Sequence, residues 1–247
     1  MKFDLKKIKS YGDCYDGSVQ LSFTLPIECS GKAKEAARKY VEKMGFKDVM
    51  VHYMKDIGEN FTFFIVYGKA QHTIDVTKIK VEEAKFKKMD MYKIDDLIKK
   101  KIGRKLVVVG ACIESDAHSI GIDAIMNMKG FHGNYGLERY KWIKAYNMGA
   151  QVPCVELVKK IREVNADIVL VSQVVTQRNI HIKNLTKLVE LLEAENLRDK
   201  IILICGGPRI THKLALELGY DAGFGPGTVA SDVASFFVQK FIEKHEL

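Results

Sequence analysis

The sequence has few features of secreted, membrane-spanning or zinc-binding proteins. Its five cysteines are an odd number, none in a Cys-x-x-Cys or Cys/His metal spacing, so we interpret them as reduced thiols. No apolar run approaches the roughly 20 residues that a bilayer crossing needs, and the charged start, Met1-Lys-Phe-Asp-Leu-Lys-Lys, has no apolar signal core behind it. We therefore expect a cytoplasmic protein without a membrane partner.

The composition is that of a folded chain with an uneven charge. The 247 residues are 47% apolar, with 39 Lys and Arg against 31 Asp and Glu, which excludes disorder. Residues 1–104 hold 22 basic and 15 acidic side chains, whereas 105–247 hold 17 and 16. The lysines are scattered among acids and lack aromatic stacking motifs, so we expect no nucleic-acid partner. The basic part is either a solvated surface or a face that meets an acidic partner subunit.

Residues 1–81 predict a small α+β domain. Val19–Leu25 alternates as a half-buried strand does, and an amphipathic helix follows with Ser30 as its cap. Three further strands are predicted at Asp48–Met54, Asn60–Tyr67 and Thr73–Val81, with turns at 55–58 and 68–71. Residues 82–104 are dense in charge and predict a helical linker.

From residue 105 onward, short apolar runs alternate with amphipathic stretches, which predicts an α/β domain with a doubly wound parallel sheet of five strands. The strands are expected at 106–109, 142–146, 168–171, 201–204 and 221–224, and the helices near 120–128, 155–165, 181–195, 210–219 and 229–244. Ligands of such sheets bind beyond the carboxyl ends of the strands. A dinucleotide site is disfavoured, because no Gly-x-Gly-x-x-Gly follows the first strand.

The loop after the first of these strands carries Asp116-x-His118-x-x-Gly121. A histidine in such a loop is often a surface residue, and Asp116 is equally suited to cap a helix. The spacing also suits metal ligation, because a carboxylate that accepts one imidazole N–H fixes the tautomer and raises the basicity of the other nitrogen.

Polar and glycine residues also follow the later strands. Ser172 and Thr176 end the third strand, Gly206 and Gly207 end the fourth, and Gly225 and Thr228 lie in the loop before the last helix. With Asp-x-His-x-x-Gly, the Ser-x-Val and Gly-Gly sequences resemble cobalamin-binding domains that hold the cofactor base-off. This resemblance implies that His118 ligates cobalt, that Asp116 supports it, and that Gly121, Ser172 and the later loops make room for the displaced nucleotide tail.

The glycine-rich segment from Gly130 to Gly136, with Leu137-Glu-Arg-Tyr and Asn147-Met-Gly-Ala-Gln-Val-Pro, is similar to the β-subunit family of lysine 5,6-aminomutase. In that family a lysine eleven residues beyond the cobalt-ligating histidine forms an internal aldimine with pyridoxal 5'-phosphate, which corresponds to Lys129 in Met-Lys-Gly-Phe. A neutral, partly desolvated lysine suits such a role.

The resemblance implies an adenosylcobalamin- and pyridoxal phosphate-dependent isomerase subunit that moves the terminal amino group of D-lysine or L-β-lysine by radical chemistry. It also implies a larger α subunit that supplies the rest of the pyridoxal phosphate site and binds the amino acid substrate, a dimerising first domain and an α2β2 assembly. Two alternatives remain: an ornithine 4,5-aminomutase subunit, and a corrinoid methyl carrier without chemistry of its own.

Overall fold

A computed structural model describes residues 3–12 and 15–246 and divides the chain into two compact units, Met1–Val81 and Glu82–Leu247. Cys14 lies outside the described residues, and Cys29, Cys112, Cys154 and Cys205 are free thiols. No helix in the described ranges has the length and hydropathy needed to cross a membrane.

The first unit is a three-stranded antiparallel sheet with one helix. Its elements are β1 (Ser18–Leu25), α1 (Gly31–Lys43), β2 (Phe46–Gly58) and β3 (Phe61–Ala70), with the strands in the order β1-β3-β2. Ser30 caps α1 as predicted, accepting a hydrogen bond from the N–H of Ala33. Ala33, Ala37 and Val41 of α1 form a buried cluster with Phe64 and Val66 of β3.

Three local predictions for this unit were wrong. The chain reverses at Glu59 and Asn60, both with positive φ as a two-residue hairpin turn requires, so residues 55–58 extend β2. Residues 68–70 likewise belong to β3. The expected strand Thr73–Val81 is replaced by a short 3-10 turn, Val76–Lys78, because the Asp75 side chain accepts the N–H of Thr77 and competes with strand pairing.

The second unit is a five-stranded parallel sheet with helices on both faces, as the sequence predicts. Its strands, in the order β5-β4-β6-β7-β8, are β4 (Leu106–Cys112), β5 (Ile143–Asn147), β6 (Ile168–Ser172), β7 (Ile202–Gly206) and β8 (Ala222–Phe224). Its helices are α2 (Met91–Lys101), α3 (Ile120–Met126), α4 (Cys154–Val164), α5 (Ile180–Ala194), α6 (His212–Glu217) and α7 (Ala230–Lys244). Helices α2, α3 and α7 share one buried cluster with the sheet, and α4, α5 and α6 share the other.

The segment before the sheet is helical only from Met91, so the prediction of a helix over 82–104 was too long. Asp90 caps α2 by accepting the N–H of Lys93. Upstream, the N–H of Met89 donates to Ser235 and that of Lys87 to Gln239, both in α7. These bonds hold the non-helical segment on the second unit.

The strand order places the reversal of winding between β4 and β6. The loops that leave the carboxyl ends of these two strands carry Asp116, His118, Ser172 and Thr176. Ligands of doubly wound sheets bind at such a reversal.

Candidate functional site

Asp116 and His118 form a hydrogen-bonded pair above the end of β4. Oδ1 of Asp116 lies 3.0 Å from Nδ1 of His118 and also accepts the backbone N–H of His118 at 3.0 Å. Oδ2 accepts the N–H groups of Val174 and Val175, which follow β6. The carboxylate therefore orients the imidazole and joins the two loops at the reversal of winding.

The protonation of the pair leaves one ring nitrogen for a ligand. Burial raises the pKa of Asp116, which is 1% exposed, but the N–H groups of Val174, His118 and Val175 and the His118 ring outweigh burial and hold the pKa below its ordinary value. Because an ionised carboxylate only accepts hydrogen bonds, a neutral His118 ring that donates to it carries its proton on Nδ1 and leaves the lone pair on Nε2. The His118 side chain is 58% exposed, so a ligand has access to it.

The strand register aligns several residues across the carboxyl edge of the sheet. Cys112 pairs with Ser172, Ser172 with Gly206, and Gly206 with Phe224. A Cβ on Gly121 would lie 3.1 Å from Oγ of the buried Ser172, so the first turn of α3 approaches the end of β6 where Gly121 has no side chain. The structure thus brings Gly121 and Ser172 together.

A buried thiol supports the same loop. Sγ of Cys112 lies 3.3 Å from the carbonyl oxygen of His118 and donates to it. Burial raises the pKa of Cys112 to about 11, so the thiol is protonated at neutral pH and acts as a donor rather than a nucleophile.

Gly207 permits a close backbone approach between β7 and the loop after β6. A Cβ at this position would lie 2.1 Å from the carbonyl oxygen of Gln173, which any side chain would displace. Gln173 is fully buried, and its side-chain amide donates to the carbonyl of Ile113 and accepts from Asn184. The Ser-x-Val and Gly-Gly sequences therefore form one packed edge.

The remaining predicted residues lie in the loops of this edge without contacting His118 through a hydrogen bond in the described residues. Thr176 precedes a short 3-10 turn at 177–179 and is half-buried. The hydroxyl of Thr228 donates to the carbonyl of Gly225 at 2.8 Å, which closes the loop before α7.

Lys129 lies apart from the histidine. It follows the carboxyl end of α3, whereas His118 precedes the other end, and the seven residues of this helix span about 10 Å. The side chain is exposed, and within the described residues its ammonium group forms no ion pair. Lys129 is thus open to a partner outside this chain.

The donor set fits a metal that already has ligands of its own. No group of three or more His, Cys, Asp or Glu side chains that could hold a metal ion occurs in residues 3–12 and 15–246. A single imidazole, oriented by a buried carboxylate and open to solvent, suits the axial position of a metal enclosed by a macrocycle. The residues therefore fit the cobalt of a corrin.

Comparisons with known proteins identify a domain for each of the two units. Residues 7–83 match the model of the dimerisation domain of D-ornithine 4,5-aminomutase, and residues 106–234 match that of the B12 binding domain. The lysine 5,6-aminomutase beta subunit of Fusobacterium nucleatum is 54% identical over 242 residues, which is 98% of this chain and 92% of the relative. The chain belongs to the lysine 5,6-aminomutase beta subunit family.

Two further relatives support the family assignment. The lysine 5,6-aminomutase beta subunit of Acetoanaerobium sticklandii is 53% identical over 96% of this chain and 90% of that protein. D-ornithine 4,5-aminomutase subunit beta of the same organism is 31% identical over 94% of this chain, but the match covers only 30% of that longer protein. In sequence, this chain is more similar to these lysine aminomutase beta subunits than to the ornithine enzyme.

The sequence did not predict the groups that hold the Asp116–His118 pair or the turn that carries Lys129. Asp116 is anchored by the backbone of Val174 and Val175, and backbone N–H groups leave no residue pattern to detect. Asn147 contacts the end of α3 through its side chain. Its position after a predicted strand, and its inclusion in the sequence that resembles the aminomutase family, were the available indications.

Proposed function

We propose that the chain binds cobalamin base-off at the carboxyl edge of its five-stranded sheet, with Nε2 of His118 as the lower cobalt ligand. The observation that carries this proposal is the Asp116–His118 pair, in which a carboxylate held by two backbone N–H groups orients an exposed imidazole. Carboxylate–imidazole pairs of this kind fix the tautomer and raise the basicity of a metal ligand.

The residues around the pair would make room for the cofactor. The proposed slot for the nucleotide tail would lie beside Gly121 and Ser172, where a Cβ on Gly121 would lie 3.1 Å from the Ser172 hydroxyl. The proposed lining is completed by residues that share the carboxyl edge, namely Thr176, Gly206, Gly207, Gly225 and Thr228.

We assign to Lys129 the role of holding pyridoxal 5'-phosphate through its ε-amine when substrate is absent. Its position eleven residues after His118 and its exposure on the glycine-rich segment favour this role. The phosphate and ring contacts would come from a larger α subunit. A long lysine stem suits a bond that crosses a subunit interface.

The chain would therefore be one subunit of an aminomutase that moves the terminal amino group of D-lysine or L-β-lysine to the adjacent carbon. When bound, adenosylcobalamin would supply radical initiation, and pyridoxal phosphate would stabilise the rearranging radical. Within this chain, Asp116 holds the proton on Nδ1 of His118, and His118 retains the cofactor. Lys129 would hold the cofactor through its amine when substrate is absent.

The first unit would serve assembly, and we propose a cytoplasmic α2β2 heterotetramer. Its match to an aminomutase dimerisation domain supports this role and disfavours a corrinoid methyl carrier. The lower identity to the ornithine enzyme, 31% against 54% for the lysine enzyme, disfavours the other alternative.

The test is the electron paramagnetic resonance spectrum of the chain loaded with cobalamin and reduced to Co(II). We expect nitrogen superhyperfine splitting that changes when the protein contains isotopically labelled histidine. His118→Ala should remove this splitting. His132→Ala, at another exposed histidine of the same domain, should leave it unchanged. A splitting that survives in His118→Ala would contradict the assignment.

A further inference from the structure

Lys129 lies in a four-residue turn that begins where α3 ends. The N–H of Gly130 donates to the carbonyl of Asn127 at 2.8 Å, so Met128 and Lys129 occupy the two central positions. Gly130 has a φ of +64°, and a Cβ there would overlap the carbonyl oxygen of Asn134. The turn therefore has one well-defined backbone path.

Asn147 holds this turn from the sheet. It is the last residue of β5, and its Nδ2 donates to Oδ1 of Asn127 and Oδ1 of Asp123, both at 2.8 Å. Its Oδ1 accepts the N–H of Gly149 at 3.0 Å, which determines the orientation of the amide. One side chain thus joins the edge strand, α3 and the lysine turn.

Glu138 holds the turn from the other end of the glycine-rich segment. Its Oε2 accepts the N–H of Met128 at 2.9 Å, directly before Lys129. The neighbouring Leu137 is fully buried and anchors the short 3-10 turn that carries Glu138. Gly136 packs so closely against Asn127 that a Cβ would overlap the Asn127 carbonyl oxygen.

We propose that Asn147 and Glu138 are positioning residues for Lys129, acting through the backbone of its turn. This inference rests on the proposed role of Lys129 in holding pyridoxal phosphate. Because the lysine side chain is exposed and long, its amine samples many positions, and only a fixed backbone narrows that range. A reacting amine must lie within about 3–3.5 Å of its target, so a displaced turn slows the reaction.

The experiment measures how fast the complex of this chain with the larger subunit captures pyridoxal phosphate on Lys129. Borohydride is added at successive times after the aldehyde, and peptide mapping gives the labelled fraction of Lys129. Amide hydrogen exchange of residues 127–131 and cobalamin binding are measured in parallel on each variant.

Glu138 allows a comparison that separates positioning from general stability. Glu138→Ala should slow the labelling of Lys129 by about tenfold and speed exchange at Met128, because the acceptor is lost. Glu138→Gln keeps an acceptor oxygen and should label at the wild-type rate. Glu163→Ala removes an exposed glutamate of α4 that pairs with Lys160 and should change neither measurement.

Asn147 supplies the second test. Asn147→Asp can still accept the N–H of Gly149, but it cannot donate to Asn127, so we expect slow labelling as in Asn147→Ala. Wild-type rates in Glu138→Ala and Asn147→Asp, or a Glu138→Gln rate as low as that of Glu138→Ala, would overturn the proposal. If the wild-type label lies on another lysine, the proposed role of Lys129 itself fails, which is a distinct result.

Discussion

Oδ2 of Asp116 accepts the backbone N–H of Val175, a residue 59 positions further along the chain. Through this bond and the one to Val174, the loop that carries His118 is fastened to the loop that leaves β6. The orientation of the imidazole therefore depends on both strands that flank the reversal of winding.

Asp116→Asn should weaken cobalamin retention by about 10–100-fold, less than removal of His118 itself. An asparagine cannot accept from both the imidazole and the two backbone N–H groups, because one of its two terminal atoms is a donor. Equilibrium binding followed by visible absorbance measures the loss. Asp199→Asn, at an exposed aspartate before β7, is the matched control and should bind cobalamin as wild type does. If Asp116→Asn also binds with wild-type affinity, Asp116 only caps the helix that follows it.

The same substitution should change how stability depends on pH. The pKa of Asp116 is lower in the folded chain than in the unfolded one, so its contribution is complete above the unfolded pKa of about 3.9 and is lost as pH falls through the folded pKa. The difference in melting temperature between wild type and Asp116→Asn should therefore be largest near neutral pH and should disappear in strong acid. If the difference in melting temperature instead grows as the pH falls, Asp116 does not have a lowered pKa in the folded chain.

Short apolar runs were sufficient to predict all five strands and five of the six helices of the sheet domain, because the three central strands β4, β6 and β7 are buried on both faces. Turns were predicted less reliably. Residues 55–58 were expected to form a turn, but they are the last four residues of β2. Asp116 and His118 are two residues apart, so their pairing was visible locally. Their anchor at Val174 and Val175 is set by tertiary packing and was not visible in the sequence.

Gly121→Ala should separate helix stability from cofactor binding. Alanine favours the helix over glycine by up to about 1 kcal/mol, which offsets part of the cost of the tight contact between the new Cβ and Ser172, so we expect only a small change in the free energy of unfolding. Cobalamin affinity should nevertheless fall by about tenfold, because the added Cβ would lie 3.1 Å from Oγ of Ser172 and narrow the slot. Gly31→Ala in α1, where nothing lies within 4 Å, is the control.

A double-mutant cycle locates this effect. The loss of cobalamin affinity caused by Gly121→Ala should be smaller when Ser172 is also changed to Ala, because the hydroxyl that the new Cβ would contact is then absent. Additive losses would mean that Gly121 does not act through Ser172.

Two shortened chains test the division of labour between the units. A chain that begins at Glu82 should bind cobalamin as the full chain does but fail to assemble with the larger subunit. A chain that begins at Lys100 loses the fully buried Ile94 and Ile98, each worth about 2–5 kcal/mol, and should be far less stable. Calorimetry and size-exclusion chromatography measure both effects, and normal assembly of the Glu82 chain would contradict an assembly role for the first unit.

The last prediction concerns what displaces pyridoxal phosphate from Lys129. In the complex with the larger subunit and without substrate, borohydride should fix a phosphopyridoxyl group on Lys129, and Lys129→Ala should abolish the label while cobalamin binding persists. Lysine added before the reductant should move the label from the protein to the amino acid, because one amine replaces another at the same aldehyde. Lys144→Ala, at an exposed lysine of β5, is the control and should keep both behaviours. A label that maps to the larger subunit would make Lys129 a surface residue and would return the methyl-carrier alternative to consideration.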